Sequence, residues 1–213
     1  MNYSRILPLL LILNFKVLIA SSQTVTVKAI PLPCILLNRP ETFQVLSDNS
    51  ILMTAGKGTD LHHSASGRYS RSNAPMFLFT PDSNFLFSAR VKAEINNLYD
   101  GGALLIWSDA GNWAKILIQN TGEKSIIGMS VVKDKVTDDS YFNISPAREI
   151  FLKLTKTGKV FNFYVSDSGT DWTLVRQFVY HKPEDFKIGF YSQSPKGSSC
   201  KVEYSGIIYT TLQ

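Results

Sequence analysis

The side chains able to do chemistry in this chain are scattered, and their spacing argues against catalysis. Glycoside hydrolysis needs two carboxyl groups about 5 to 9.5 Å apart. A sandwich-type glucanase supplies them from acids alternating along one strand, in the manner of E-x-D-x-E. Here Glu94-Ile95-Asn96-Asn97-Leu98 holds a single acid. His181 has no nucleophile motif such as G-x-S-x-G to serve, and nucleotide-binding glycine patterns are absent. His62 and His63 are adjacent, so on a strand they point to opposite faces and do not share a metal. Asp134, Asp138 and Asp139 lie within one short stretch, a set suited to Ca²⁺. No EF-hand glycine accompanies them, and a solvated loop is the plainer reading. The balance leans away from an enzyme, with no resident cofactor expected beyond that Ca²⁺ alternative.

Recognition fits better. Gly101 to Trp107 and Asn112 to Ile116 read as two strands joined by a polar loop. Trp107 and Lys115 facing outward would supply a stacking plane and a donor, as a saccharide surface requires. The competing assignment buries Trp107 and Trp113 in the core and leaves Lys115 in solvent. Asp167-Ser168-Gly169-Thr170-Asp171-Trp172 has the D-x-G-x-x-W order of an Asp-box turn. Its carboxylate would accept backbone N–H groups, its glycine would take a positive φ, and its Trp would pack back over the hairpin.

The elements that must position these residues are strands. Phe85, Phe87, Ala89, Val91, Ala93 and Ile95 alternate with Ser88, Arg90, Lys92 and Glu94, the period of a half-buried strand. Similar runs follow at Ala103 to Trp107, Trp113 to Gln119, Ser125 to Val132, Glu149 to Thr155, Lys159 to Ser166, Trp172 to Tyr180, Phe186 to Ser192 and Lys201 to Tyr209. Turn residues punctuate them, notably Ser108 to Asn112 and Lys156 to Lys159. No segment sustains helical periodicity with caps. Of 213 residues, 44% are hydrophobic and 18% charged, a balance that excludes disorder over most of the chain. The pattern predicts an all-β antiparallel sandwich or barrel, with a core including Phe85, Phe87, Val91, Leu152, Leu154, Phe161, Phe163 and Phe190. Pro31 and Pro33 place the stretch before Leu37 at a sheet edge.

Met1 to Ser22 has a basic start, an apolar run broken by Lys16, and small residues Ala20 and Ser22 before Gln23. That pattern predicts a signal peptide over 1–22 and a single domain over 23–213, in a secreted, periplasmic or cell-surface protein. No membrane span is expected after cleavage. In such a compartment Cys34 and Cys200 either bridge or remain separate buried thiols. Losing Arg5 and Lys16 lowers the formal charge from +5 to +3, and no basic stripe tracks phosphates, which argues against nucleic acid. Asn143-Ile144-Ser145 is a glycosylation sequon for a eukaryotic host.

Seven short motifs in order carry a resemblance: Gly58-Thr59-Asp60; Tyr99 to Leu105; Asp109 with Asn112 to Lys115; Ser130-Val131-Val132; Leu152-Lys153-Leu154; Asp167 to Trp172; and Gly189 to Ser192. Together, from about Thr42 to Ile207, the chain resembles the concanavalin A-like lectin/glucanase group, in its "regulation of enolase protein-like" branch. Similar domains end some β-xylosidases. The resemblance implies a two-sheet antiparallel jelly roll with a concave, saccharide-suited face. It also departs from the family pattern at Leu61-His62, Trp107, Gln119 and Thr137 to Tyr141. On that architecture the ligand site is expected at Tyr99, Asp100, Trp107, Asp109, Trp113, Lys115, Asp138 and Tyr141. The expected function is a secreted, monomeric, non-catalytic binder of oligo- or polysaccharide. The alternatives are a glycoside hydrolase or its accessory domain, and a structural or protein-interaction module.

Overall fold

A computed structural model describes residues 24–142, 148–182 and 184–213. The predicted leader and the sequon at Asn143 lie outside these residues. In chain order the strands are β1 (Thr24–Val27), β2 (Ile30–Leu37), β3 (Thr42–Ser47), β4 (Ser50–Gly56), β5 (Leu61–His63), β6 (Ser70–Ser72), β7 (Met76–Phe79) and β8 (Phe85–Ala93). They continue as β9 (Gly101–Asp109), β10 (Asn112–Asn120), β11 (Ser125–Lys133), β12 (Val136–Phe142) and β13 (Glu149–Thr157). The last are β14 (Val160–Ser166), β15 (Thr173–Val179), β16 (Lys187–Gln193) and β17 (Ser199–Thr211).

Two antiparallel sheets form the sandwich, one of eight strands ordered β1-β2-β7-β16-β9-β10-β11-β12 and one of seven ordered β15-β14-β13-β8-β17-β4-β3. Between them lies one apolar core holding all eight residues expected there from the alternation. A second, smaller cluster occupies the outer face of the eight-stranded sheet, built on Leu105, Trp113, Leu117 and Tyr191. It is dry because the separate β5–β6 hairpin supplies Leu61 to it. Burying both faces of β9 and β10 explains why their sequences read as nearly continuous apolar runs.

Several expectations need correcting. Val136–Phe142 forms an edge strand where a solvated or Ca²⁺-holding loop was expected. Its turn is only Asp134-Lys135, with φ of 49° and 65°, the two positive values that a tight primed hairpin turn demands. Strand alternation then sends Asp138 and Asp139 to opposite faces. No three metal-ligating side chains gather among the described residues.

Cys34 and Cys200 are free, buried thiols and not a bridge. Cys34 aligns through Phe79 with Ile188 on β16, whereas Cys200 Sγ lies by Gly101, which aligns with Gln193. Five residues along a strand is about 16 Å, far beyond the roughly 7 Å limit on Cα separation for a disulfide. In the turn after β14, Ser166 and Ser168 side chains accept the backbone N–H groups expected to go to Asp167. Gly169 does take a positive φ, 80°, and any Cβ there would come within 2.9 Å of the Phe151 ring. Pro31 and Pro33 sit in β2, one strand in from the edge, but β7 pairs with β2 only from Cys34 onward. The prolines therefore leave no ladder bond broken on that side.

Candidate functional site

The period of two along β10 divides its residues cleanly. Ala114, Ile116 and Ile118 enter the core, while Trp113, Lys115, Leu117 and Gln119 face outward. Register extends this outer face to the neighbours: Lys115 aligns with Ser130 on β11, and Ser130 with Asp139 on β12. The next row runs from Leu117 through Gly128 to Tyr141. A Cβ on Gly128 would stand 2.9 Å from Leu117 Cδ2, so glycine keeps this row low. Above these rows lies a cavity of about 300 Å³. Its walls are the segment from Asp60 to Tyr69, Tyr99, and the chain after β16 from Gln193 to Lys196.

Lys115 forms the floor and is 4% exposed. Its Nζ donates to Leu61 O at 2.5 Å and lies 5.0 and 5.4 Å from the Trp113 and Tyr191 ring centroids. Burial pulls the Lys115 ammonium down to about pKa 8, against the opposing pull of Asp60 and Asp139. Neither carboxylate forms an ion pair with it. A buried, perturbed titratable group lining a cleft is the electrostatic mark of a functional site.

The hairpin over Lys115 is pinned by His63. Its Nε2 lies 2.6 Å from Ala110 O and its Nδ1 2.7 Å from Ser70 Oγ, so Nε2–H donates to the first and Nδ1 accepts from the second. Thr137 Oγ1 donates to His63 O at 2.5 Å. These bonds hold Asp60 and His62 in place on one wall. Asp60 Oδ2 accepts from Tyr69 OH at 2.9 Å, and burial, then this carboxylate, raises the Tyr69 pKa. Along the Lys115 row Asp139 Oδ1 accepts from Ser130 Oγ at 2.6 Å. Burial, then Asp139, raises the pKa of Tyr141, whose side chain rims the cavity. Burial, then Lys115, lowers that of His62.

Of the residues expected at the site, Tyr99, Lys115 and Tyr141 meet at this cavity. Asp100 is fully buried and accepts from Asn97 N, Asn97 Nδ2 and Ser194 Oγ at 2.8 to 3.0 Å. It shapes the turn that holds Tyr99 at φ 67°, a conformation a tyrosine adopts only when its surroundings impose it. Trp113 is buried under the hairpin, its ring tilted against His63 at 5.8 Å, and is no exposed platform. Trp107 packs half-buried against the same outer cluster, away from the cavity lining. Asp109 closes the β9–β10 turn, where Lys182 at 2.6 Å, Asn112 and Gly111 N hold its carboxyl down to about pKa 2. Asp138 turns to the other face and pairs with Arg176 at 2.6 Å.

Asp60, His62, Tyr69, Gln119, Ser130, Asp139 and Gln193 also line the cavity and were not anticipated at the ligand site. For Asp139 the signal was available: if Tyr141 faces the site on a strand, residue 139 shares its face and residue 138 does not.

A family model described as "Protein of unknown function (DUF1349)" matches residues 36–212. The chain is 22% identical over 170 residues to the Saccharomyces cerevisiae protein "Regulation of enolase protein 1", covering 79% of this chain and 85% of that one. Among solved structures it resembles a functionally unknown protein from Saccharomyces cerevisiae, with a TM-score of 0.75, 21% identity, and coverage of 84% and 96%. It also resembles the GH43 protein BlXynB from Bacillus licheniformis, with a TM-score of 0.68 and 12% identity. That match covers 84% of this chain but only 37% of BlXynB. At such identities these structures establish a shared sandwich fold.

Proposed function

The chain belongs to the DUF1349 family, and from that premise we propose that it is a secreted, non-catalytic carbohydrate-binding protein. The supporting observation is the cavity on the outer face of the eight-stranded sheet. Tyr99 and Tyr141 stand at its rim, and Lys115, Asp60, Asp139, Gln119 and Ser130 line its interior. Aromatic planes stack on the C–H faces of a sugar ring, and mixed donors and acceptors take its hydroxyls. A volume of about 300 Å³ is at the small end for ligand sites, so a short glycan segment is the fitting ligand. Export rests on the leader pattern of residues 1–22.

A second reading, a glycoside hydrolase or its accessory domain, draws on the sandwich shared with a GH43 protein and on two carboxylates, Asp60 and Asp139, lining one cavity. A glycan array and a panel of aryl-glycosides separate the two. The binding reading expects at least one glycan retained on the array and no aglycone released. Release of product would replace it with hydrolysis. A blank array would turn the reading towards a protein-interaction module.

A further inference from the structure

The hydrogen bonds already made around Lys115 specify which bonds remain for a ligand. Lys115 Nζ has three donors and spends one on Leu61 O. Asp60 accepts at Oδ2 and Asp139 at Oδ1, while Asp60 Oδ1 and Asp139 Oδ2 have no protein partner among the described residues. Both carboxylates act electrostatically on Lys115, yet neither comes within ion-pair distance of it. The open valences lining one cleft are therefore two acceptors and two donors.

That set matches two adjacent hydroxyl groups. Each hydroxyl donates one proton and accepts one hydrogen bond. One can bridge Asp60 and Lys115 while its neighbour bridges Lys115 and Asp139, filling the gaps that keep the charged groups apart. We propose that the cleft reads the vicinal diol of a neutral glycosyl unit, with Lys115 shared by both hydroxyls and Asp60 and Asp139 each taking one. The inference rests on the saccharide-binding reading and narrows it to neutral sugars. A uronate would add a carboxylate to a cleft where Asp60 and Asp139 already outnumber Lys115, whereas an amino sugar's ammonium can donate to the carboxylates but cannot accept from Lys115. The first is a net like-charge contact and the second leaves a Lys115 donor unpaired in a partly desolvated site, and each disfavours the wrong ligand by more than about tenfold. Lys196 is exposed at the rim, and burial and Lys115 hold His62 towards its neutral form. Neither adds a buried counter-charge for a uronate beyond Lys115.

The test is calorimetric titration of the full chain at neutral pH with four matched probe types. The neutral tetramers are those of β-1,4-glucose and β-1,4-xylose; the charged ones are tetragalacturonate and the glucosamine tetramer. A neutral tetramer should bind, with both charged tetramers weaker by more than about tenfold. Asp60→Asn combined with Asp139→Asn should weaken the neutral ligand and shrink its margin over tetragalacturonate. Preferential binding of tetragalacturonate or of the glucosamine tetramer would overturn the diol inference and leave the saccharide-binding reading standing. Failure of all four to bind would overturn both. Should the double variant fail to fold, the wild-type ranking still decides.

Discussion

Lys115 is held in its cleft at a cost to the fold. Its folded pKa, about 8, lies below the ordinary lysine value of 10.5. Between those values the unfolded chain binds more protons, so stability from this group rises as pH climbs from about 8 to 10.5. At neutral pH the full penalty is present, on the order of 3 kcal/mol. That net penalty already contains the hydrogen bond to Leu61 O and the two ring contacts, which favour the ammonium. Lys115→Met keeps the stem and removes the charge but leaves Leu61 O without its donor, a loss of about 2 kcal/mol, so at neutral pH it should raise stability by about 1 kcal/mol while removing glycan binding. The wild-type protein should also lose affinity as pH rises through about 8, because the neutral amine gives up a donor. Thermal melting and titration across that range check both; a fall in melting temperature would show that Lys115 is simply structural.

The β5–β6 hairpin is only three residues per strand, and a two-stranded ribbon of that length has no stability of its own. Its position depends on the His63 ring, which ties it to Ala110 and braces it internally at Ser70, while the His63 carbonyl accepts from Thr137. His63→Ala should therefore release the hairpin and open Trp113 to water. Faster hydrogen exchange at 61–72, with β8 and β13 unchanged, is the expected pattern. Equal protection in wild type and variant would remove His63 from this role. The hairpin is also what sequence reading missed. Alternation in Phe85 to Ala93 predicted its strand and its buried face, because one side of β8 meets the core and the other meets solvent. Leu61-His62-His63 is too short to show a period, and its partners are distant in sequence. Asp60 therefore read as part of a motif and not as a cavity wall. The edge strand β12 was hidden for a different reason. Its composition is polar, Val136-Thr137-Asp138-Asp139-Ser140-Tyr141-Phe142, since one neighbour is missing and much of it is exposed. Reading it as a loop lost the alternation that separates Asp138 from Asp139.

At the scale of the whole molecule, the two sheets divide their work. The seven-stranded sheet and the inner face of the eight-stranded one build the hydrophobic core, and the outer face of β10 to β12 carries the cleft. This division gives Tyr141 and Trp107 opposite roles although both lie on that outer face. Tyr141 is 63% exposed and rims the cavity, whereas Trp107 packs against the second apolar cluster. Trp107→Ala should cost up to about 3 kcal/mol of stability, the low end for removing a buried aromatic, and leave the affinity of the folded fraction intact. The central claim is that the cavity beneath Tyr141 is where a saccharide binds. The most direct measurement of it is the affinity of Tyr141→Ala for the best glycan found, with its melting temperature taken alongside. The account predicts at least a tenfold loss of affinity, about 1.4 kcal/mol, at an unchanged melting temperature. Unchanged affinity in a folded Tyr141→Ala protein would contradict it.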